Sequence, residues 1–145
     1  MSRAPLHGRQ AYGTWQTIGT RWADNDMYGH VNNVVYYAWF DTVVNRWLVD
    51  AGLLALKDDP LIGLVVQSSC RYASPLGYPQ DIDIGLATEH VGNSSVTYRL
   101  GAFAQGADEA AAEGLFTHVY VDAATRRPAQ LPAQWRDALA RLAPR

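Results

Sequence analysis

The sequence contains a single cysteine, Cys70, which excludes an internal disulfide bond. A chain without this cross-link suits a reducing compartment, and Cys70 itself is expected to be a buried structural thiol. The amino-terminal segment also lacks the apolar stretch of a secretory signal. These absences predict a cytoplasmic protein.

The sequence also lacks an excess of charge of either sign. Charged residues make up 18% of the chain and the net charge is −2, which indicates no binding surface for nucleic acid or for an anionic membrane. The longest apolar segment is too short and too polar at its middle to span a membrane. Hydrophobic residues account for 48% of the 145 positions, so the composition predicts one globular domain over residues 1–145.

The signatures of several common enzyme sites are missing. No serine has a G-x-S-x-G setting, and there is neither a G-x-G-x-x-G motif nor a phosphate-binding loop. The four histidines are scattered and lack the spacing of metal ligands. We therefore expect no metal and no cofactor.

What the chain does contain is a polar turn followed by a long apolar segment, between Arg21 and Gly52. Asn is a strong N-cap residue, so we predict that a helix begins at Asn32 or Asn33. The same helix is predicted to end at Ala51, because Gly52 favours a helix stop. Apolar residues recur at three- and four-residue spacings and cover most of its circumference, which predicts a buried helix.

Alternating residue patterns predict five strands around this helix. The predicted strands are Tyr12–Trp22, Leu61–Ala73, Asp81–Val91, Ser95–Ala104 and Glu113–Val121, and a short helix follows at Ala133–Leu142. The residues up to about Gln10 lack such a pattern and are expected to form a loose arm. The order of elements predicts an α+β fold, with one long helix packed on one face of a curled antiparallel sheet.

Two acidic residues, Asp24 and Asp26, precede the predicted helix. A helix N-terminus has unpaired N–H groups and a partial positive charge, so it polarises a carbonyl group or stabilises an oxyanion. Asp26 is close to that terminus and is predicted to be catalytic, whereas a structural role in the turn is favoured for Asp24. His30 has the chemistry of a base, but packing or hydrogen bonding to the loop is the favoured interpretation.

The residues from Asp24 to Tyr36 read D-x-D-x-x-G-H-V-N-N-x-x-Y. Together with the residues that continue to Phe40, this motif closely resembles the signature of 4-hydroxybenzoyl-CoA thioesterase-like proteins. These are hotdog-fold acyl-CoA thioesterases, and the order of the predicted elements matches theirs. The resemblance implies a five-stranded antiparallel sheet wrapped around the long helix. It also implies a homodimer or homotetramer with active sites at the subunit interface, and an acyl-CoA substrate of unspecified acyl group.

The resemblance also implies roles for single residues. The family's catalytic carboxylate aligns with Asp26, the N–H that polarises the thioester carbonyl comes from around Asn33, and His30 is a further catalytic candidate. The carboxylate either attacks the thioester or activates water. Candidates for substrate binding are other motif positions and three arginines that suit coenzyme A phosphates: Gly29, Asn32, Tyr36, Tyr37, Arg71, Arg126 and Arg127. The bulky Tyr37 is expected to restrict the acyl pocket.

Two other functions stay open at this point. A hotdog hydratase or dehydratase pairs a histidine base with a carboxylate, and His30 is available for that chemistry. A non-catalytic acyl-CoA-binding domain keeps the pocket but has no need of Asp26. The motif favours the thioesterase over both.

Overall fold

The computed structural model describes residues 4–143, and within this range the predicted α+β layout is confirmed. The elements are β1 (Thr14–Gly19), α1 (Asn33–Asp50), β2 (Leu61–Tyr72), β3 (Asp81–Val91), β4 (Ser95–Ala104), β5 (Ala112–Asp122) and α2 (Ala133–Ala140). Two short 3-10 helices lie at Arg9–Ala11 and Trp22–Asp24. The strands β3 and β4 have their predicted ends, and the ends of β2 and β5 differ from prediction by at most one residue.

The first strand and the last helix are shorter than predicted. β1 covers only the middle of the predicted strand, because Tyr12 leaves the ladder and packs edge-on against Phe103, with ring centroids 6.1 Å apart. Trp22 instead begins a 3-10 helix, which Asp24 closes by accepting a hydrogen bond from the Arg21 N–H at 2.8 Å. α2 ends two residues before the predicted Leu142.

The helix α1 begins and ends through its local sequence. Asn32 is the N-cap, and its side chain accepts a hydrogen bond from the Val34 N–H at 3.2 Å. Gly52 follows the helix with a φ of 76°, a left-handed conformation that glycine adopts without strain. None of the helices in residues 4–143 has the length and apolar character needed to cross a membrane.

The prediction that α1 is buried holds for one face only. Six of its side chains pack into the core beneath it: Tyr36, Trp39, Phe40, Val43, Val44 and Leu48. The outer face is open in the single chain, where Val34 is 64% exposed. Apolar residues lie on the sheet-facing side of the helix and also on part of its outer side. For this reason the sequence predicted burial on all sides.

The sheet has the strand order β1-β3-β4-β5-β2, and all its pairings are antiparallel. Apolar residues at alternate positions of β3 and β4 face α1 and form the main core with it. β2 is an edge strand, and its residues 63–69 are all exposed in the single chain. In the single chain the fold therefore leaves two surfaces open, the edge of β2 and the outer face of α1.

The amino-terminal arm is ordered against the sheet, so the expectation of a loose arm is wrong for its described residues. The Arg9 guanidinium forms an ion pair with Asp83 at 3.0 Å and lies over the rings of Trp15 and Phe103. These contacts lie on the sheet face opposite α1. Hydrogen bonding and cation–π attraction thus fix a segment that has no strand or long-helix pattern of its own.

Candidate active site

The loop between the second 3-10 helix and α1 is closed by its own backbone. The Asp26 N–H donates to the His30 carbonyl at 2.8 Å, and the Gly29 N–H donates to the Asp26 carbonyl at 3.1 Å. Gly29 has a φ of 81°, which a side chain would make unfavourable. The motif glycine therefore supports the shape of the loop that presents Asp26.

Only one oxygen of the Asp26 carboxylate accepts a hydrogen bond from the described part of the protein. Its Oδ1 accepts a hydrogen bond from the Tyr28 N–H at 2.8 Å. Its Oδ2 has no protein hydrogen-bond partner in residues 4–143. One oxygen thus fixes the orientation of the side chain, and the other is available for chemistry.

Asp26 lines an open groove of about 370 Å³ at the N-terminus of α1. The loop and the helix form one wall, and the end of β2 with the residues after it forms the other. The lining residues are Asp26, His30, Val31, Asn33, Tyr36, Tyr72, Ala73, Ser74 and Pro75. Three of the predicted catalytic residues therefore meet at one groove.

The first turn of α1 supplies a free N–H donor at this groove. Asn32 uses its side-chain oxygen for the Val34 N–H and its carbonyl for the Val35 N–H. The Asn33 N–H has no protein acceptor among residues 4–143. Because the positive end of the helix dipole lies at the same point, this N–H suits a carbonyl oxygen or an oxyanion.

Asp24 has the structural environment that the sequence favoured. Its side chain is 1% exposed and accepts hydrogen bonds from the Arg21 backbone N–H and guanidinium at 2.7–3.0 Å. The Asp24 carbonyl accepts from the Asn32 N–H at 2.8 Å. Asp24 therefore joins the two ends of the loop and lies outside the groove lining.

His30 differs from its favoured interpretation. Its side chain is exposed and forms no hydrogen bond within the described part of the chain, so it neither packs nor braces the loop. Only its backbone carbonyl is used, by the Asp26 N–H. The left-handed Gly29 turns the chain so that the His30 side chain lies at the groove instead.

The far wall of the groove comes from residues that the motif does not contain. The Tyr72 hydroxyl donates to the Asn33 carbonyl at 3.2 Å, and its ring meets that of Tyr36 edge-on at 5.1 Å. Burial raises the pKa of Tyr36 to about 12 and also raises the pKa of the half-buried Cys70 thiol nearby. Tyr72 and Ser74 were not predicted from the sequence. They are distant along the chain from the loop that carries Asp26, and no local pattern indicates that the end of β2 lies next to that loop.

Tyr37 lies outside this groove. Its half-buried ring tilts against Phe116 of β5, with centroids 5.7 Å apart. It therefore stands further along α1, on the side of the exposed edge strand. Its predicted effect on the acyl pocket stays a prediction.

The structure does not bring the three predicted arginines together within one chain. Arg71 donates to Glu113 at 3.1 Å and to the Ala4 carbonyl at 2.8 Å, so internal contacts use its guanidinium. Arg126 and Arg127 follow β5 at the end where it pairs with the start of β2. The groove is at the opposite end of β2, roughly 35 Å away at 3.3 Å per residue.

The described residues contain no group of three or more histidine, cysteine, aspartate or glutamate side chains that could hold a metal ion. The groups that the groove lining presents are a carboxylate, an imidazole and a helix N-terminus.

A family model and two solved structures resemble this chain over most of its length. Residues 20–139 match the family model described as the thioesterase-like superfamily. The PA5185 protein of Pseudomonas aeruginosa strain PAO1 is 50% identical, with a TM-score of 0.90 over 94% of this chain and 96% of that chain. The PA2801 protein of Pseudomonas aeruginosa is 27% identical, with a TM-score of 0.79 over 89% of this chain and 98% of that chain.

A more distant structure shares the same architecture. Slr0204 of Synechocystis, a 1,4-dihydroxy-2-naphthoyl-CoA thioesterase, is 16% identical, with a TM-score of 0.78 over 87% of this chain and 94% of that chain. The hotdog fold predicted from the motif is thereby confirmed. The match over residues 20–139 shows that the chain belongs to the thioesterase-like superfamily.

Proposed function

We propose that this protein hydrolyses the thioester bond of an acyl-CoA to a free acid and coenzyme A. The proposal rests on one observation. The Asp26 Oδ2 and the Asn33 N–H both lack a hydrogen-bond partner in residues 4–143, and both residues line the same open groove. A thioester carbonyl needs both an oxyanion donor and a nucleophile or base. The activity of the structurally similar Slr0204 toward a CoA thioester supports the same substrate class.

In the proposed reaction the thioester oxygen accepts a hydrogen bond from the Asn33 N–H, which stabilises the negative charge that develops on it. The Asp26 Oδ2 then acts in one of two ways. It takes a proton from a water that attacks the carbonyl carbon, or it attacks that carbon to give an anhydride that water hydrolyses. In both routes the carbon–sulfur bond breaks, water supplies the oxygen of the acid, and the coenzyme A sulfur leaves with a proton.

The proposal places the active site at the interface of a homodimer, or of a homotetramer built from dimers. The exposed edge of β2 and the open outer face of α1 support this assembly, because both elements contribute to the groove and both expose apolar side chains. In this proposed assembly, Arg126 and Arg127 of one chain bind the phosphates of the coenzyme A that lies in the groove of another. Coenzyme A then stays near the surface, and the acyl group enters between subunits.

A panel of acyl-CoAs with a thiol-detecting reagent tests the proposal. Release of free coenzyme A thiol above that of the Asp26→Asn protein supports hydrolysis. This variant is a matched blank, because asparagine retains an oxygen for the Tyr28 N–H. Binding of acyl-CoA without thiol release would indicate a non-catalytic domain.

A hydratase is the second candidate, because His30 and Asp26 line the same groove. That reaction adds water to an enoyl double bond and leaves the thioester intact. The same panel separates the two functions. Loss of enoyl absorbance without thiol release would support the hydratase.

A further inference from the structure

A second cavity lies between α1, the start of β2 and the end of β5, away from Asp26. Its volume is about 80 Å³. Polar and apolar groups from α1, β2, β5 and α2 line it, among them Asp41, Asn45, Gly63, Val65, His118 and Tyr120. None of these residues has a role in the proposed catalytic groove.

His118 is the unusual member of this lining. It is 4% exposed, and its Nδ1 lies 3.5 Å from the Tyr120 hydroxyl. Its Nε2 is buried without a hydrogen-bond partner in residues 4–143. Burying a nitrogen without a hydrogen-bond partner is unfavourable, so a buried polar atom of this kind indicates a ligand group or water.

Gly63 leaves the space beside His118 and Tyr120 free of a side chain. A Cβ at Gly63 would lie 2.8 Å from the Tyr120 Cε1 and 3.4 Å from the His118 Nδ1. The Tyr120 hydroxyl is already paired with that of Tyr98 at 2.8 Å. Among the described residues of this lining, the His118 Nε2 is therefore the buried side-chain atom that has no hydrogen-bond partner.

The α1 wall of the cavity supplies hydrogen-bond acceptors. The Asn45 amide donates to the Asp41 carbonyl at 2.8 Å and to the Asp41 Oδ1 at 3.2 Å. This leaves the Asp41 Oδ2 and the Asn45 side-chain oxygen as acceptors. A hydroxyl group matches the site, because it donates to an oxygen and accepts from an imidazole N–H.

Burial also sets the state of the imidazole. It lowers the pKa of His118, and the Asp41 charge opposes this effect only in part. The ring is therefore neutral at pH 7, with one N–H donor and one acceptor nitrogen.

The cavity and the catalytic groove lie along one face of the molecule. Asn33 and Asp41 are on the same helix, roughly 12 Å apart at 1.5 Å per residue. On the sheet, Val65 pairs with His118 and Tyr72 pairs with Ala112, so the helix-facing row of β2 and β5 runs from one site to the other. Between the two sites this row carries Phe116, against which Tyr37 packs.

We propose that the cavity binds a hydroxyl at the distal end of the acyl chain, so that the preferred substrates are medium-chain acyl-CoAs with a terminal hydroxyl. This inference rests on the proposed thioesterase function. With the thioester at Asn33, the chain passes Tyr37 and Phe116. Its hydroxyl then lies between Asp41 and the His118 Nε2.

The test compares decanoyl-CoA with ω-hydroxydecanoyl-CoA, two substrates of equal chain length. The wild-type protein should show kcat/KM about tenfold higher for the hydroxylated thioester, the value of one good hydrogen bond. His118→Leu should remove this preference, so that the two thioesters have equal kcat/KM values. Equal kcat/KM values for the wild-type protein would overturn the inference and leave the thioesterase intact.

A second variant covers the case in which His118→Leu does not fold. Asp41 is on the exposed face of α1, so Asp41→Ala should keep the thermal stability and still lower the preference severalfold. Thr42→Ala, at the next exposed position and outside the cavity lining, is the matched control and should keep the preference. Unchanged preference in Asp41→Ala would overturn the inference. Absence of thiol release from every acyl-CoA would overturn the proposed function together with it.

Discussion

The Tyr72 hydroxyl donates a hydrogen bond of 3.2 Å to the carbonyl oxygen of Asn33. This contact ties the end of β2 to the first turn of α1, where the free Asn33 N–H is the proposed donor to the substrate. The two walls of the groove are therefore connected at the residue whose position matters most for the oxyanion. We therefore propose that Tyr72 positions the Asn33 N–H through this hydrogen bond and makes no contact with the substrate itself.

Removal of this hydroxyl should slow turnover. Tyr72→Phe keeps the ring against Tyr36 but releases the Asn33 carbonyl, so we expect kcat to fall roughly three- to tenfold with little change in melting temperature. The matched control is Tyr78→Phe, because Tyr78 is 44% exposed and Tyr72 is 41% exposed. Steady-state kinetics with one acyl-CoA measure both variants. An unchanged kcat in Tyr72→Phe would contradict the positioning role.

Glu113 should make the stability of the protein depend on pH. Burial by itself raises the pKa of its carboxyl group, but hydrogen bonds from His7 and Arg71 outweigh burial and bring the pKa below its ordinary value of 4.5. The folded state therefore favours the carboxylate. Its contribution is present above the unfolded-state pKa and is lost as the pH falls through the folded-state pKa.

Urea unfolding of Glu113→Gln tests this dependence. The substitution should lower the unfolding free energy by about 1–3 kcal/mol at pH 7, and the difference from wild type should shrink below about pH 4.5. Glu109→Gln, at an exposed position, is the control and should have a small effect at both pH values. A deficit that stays constant on acidification would show that the carboxylate charge is not the source of the stability.

The exposed edge of β2 should form a subunit contact. Val66 is 59% exposed in the single chain, and a lysine there introduces a charge into an apolar strand edge. We expect sedimentation to show wild type as at least a dimer and Val66→Lys as a monomer with little thioesterase activity. Thr17→Lys, on the other edge strand β1, is the control and should remain associated. A wild-type protein that sediments at 16.0 kDa would contradict the shared site.

The arginines after β5 should act on coenzyme A and leave the chemistry unaffected. Arg126→Glu combined with Arg127→Glu is expected to raise KM for an acyl-CoA severalfold at unchanged kcat, because charge-assisted contacts to phosphates are lost. The same acyl group on N-acetylcysteamine, which has no phosphates, should show no change. Arg71→Glu should instead destabilise the fold, since it removes a partner of Glu113. Unchanged KM in the double variant would leave Arg126 and Arg127 as ordinary surface residues.

The sequence predicted the features of this fold that depend on neighbouring residues. The N-cap at Asn32 and the stop at Gly52 are local signals, and both ends of α1 follow them closely. The turn, the N-cap and the helix start that frame Asp26 are also contiguous in the chain. For this reason a motif of adjacent residues was enough to indicate the groove.

Features that depend on distant partners were not predictable in this way. The partner of Arg71 is 42 positions away, and pairing it with Glu113 requires the register of β2 with β5. A register shift between Val65 and Gln67 changes which β2 residues face α1, and no pattern in the sequence indicated it. The exposure of His30 follows from the shape of the loop, which residue type alone does not determine.

We propose that Asp26, and not Asp24, performs the chemistry, and the kcat values of two matched variants distinguish these residues. Asp26→Asn keeps the contact with the Tyr28 N–H and loses the reactive oxygen, so kcat should fall roughly a hundredfold or more, with acyl-CoA binding retained. Asp24→Asn weakens the buried contacts with Arg21, so it should lower the melting temperature and reduce kcat far less. An inactive, folded Asp24→Asn protein together with a nearly normal Asp26→Asn protein would show that Asp26 is not the catalytic carboxylate.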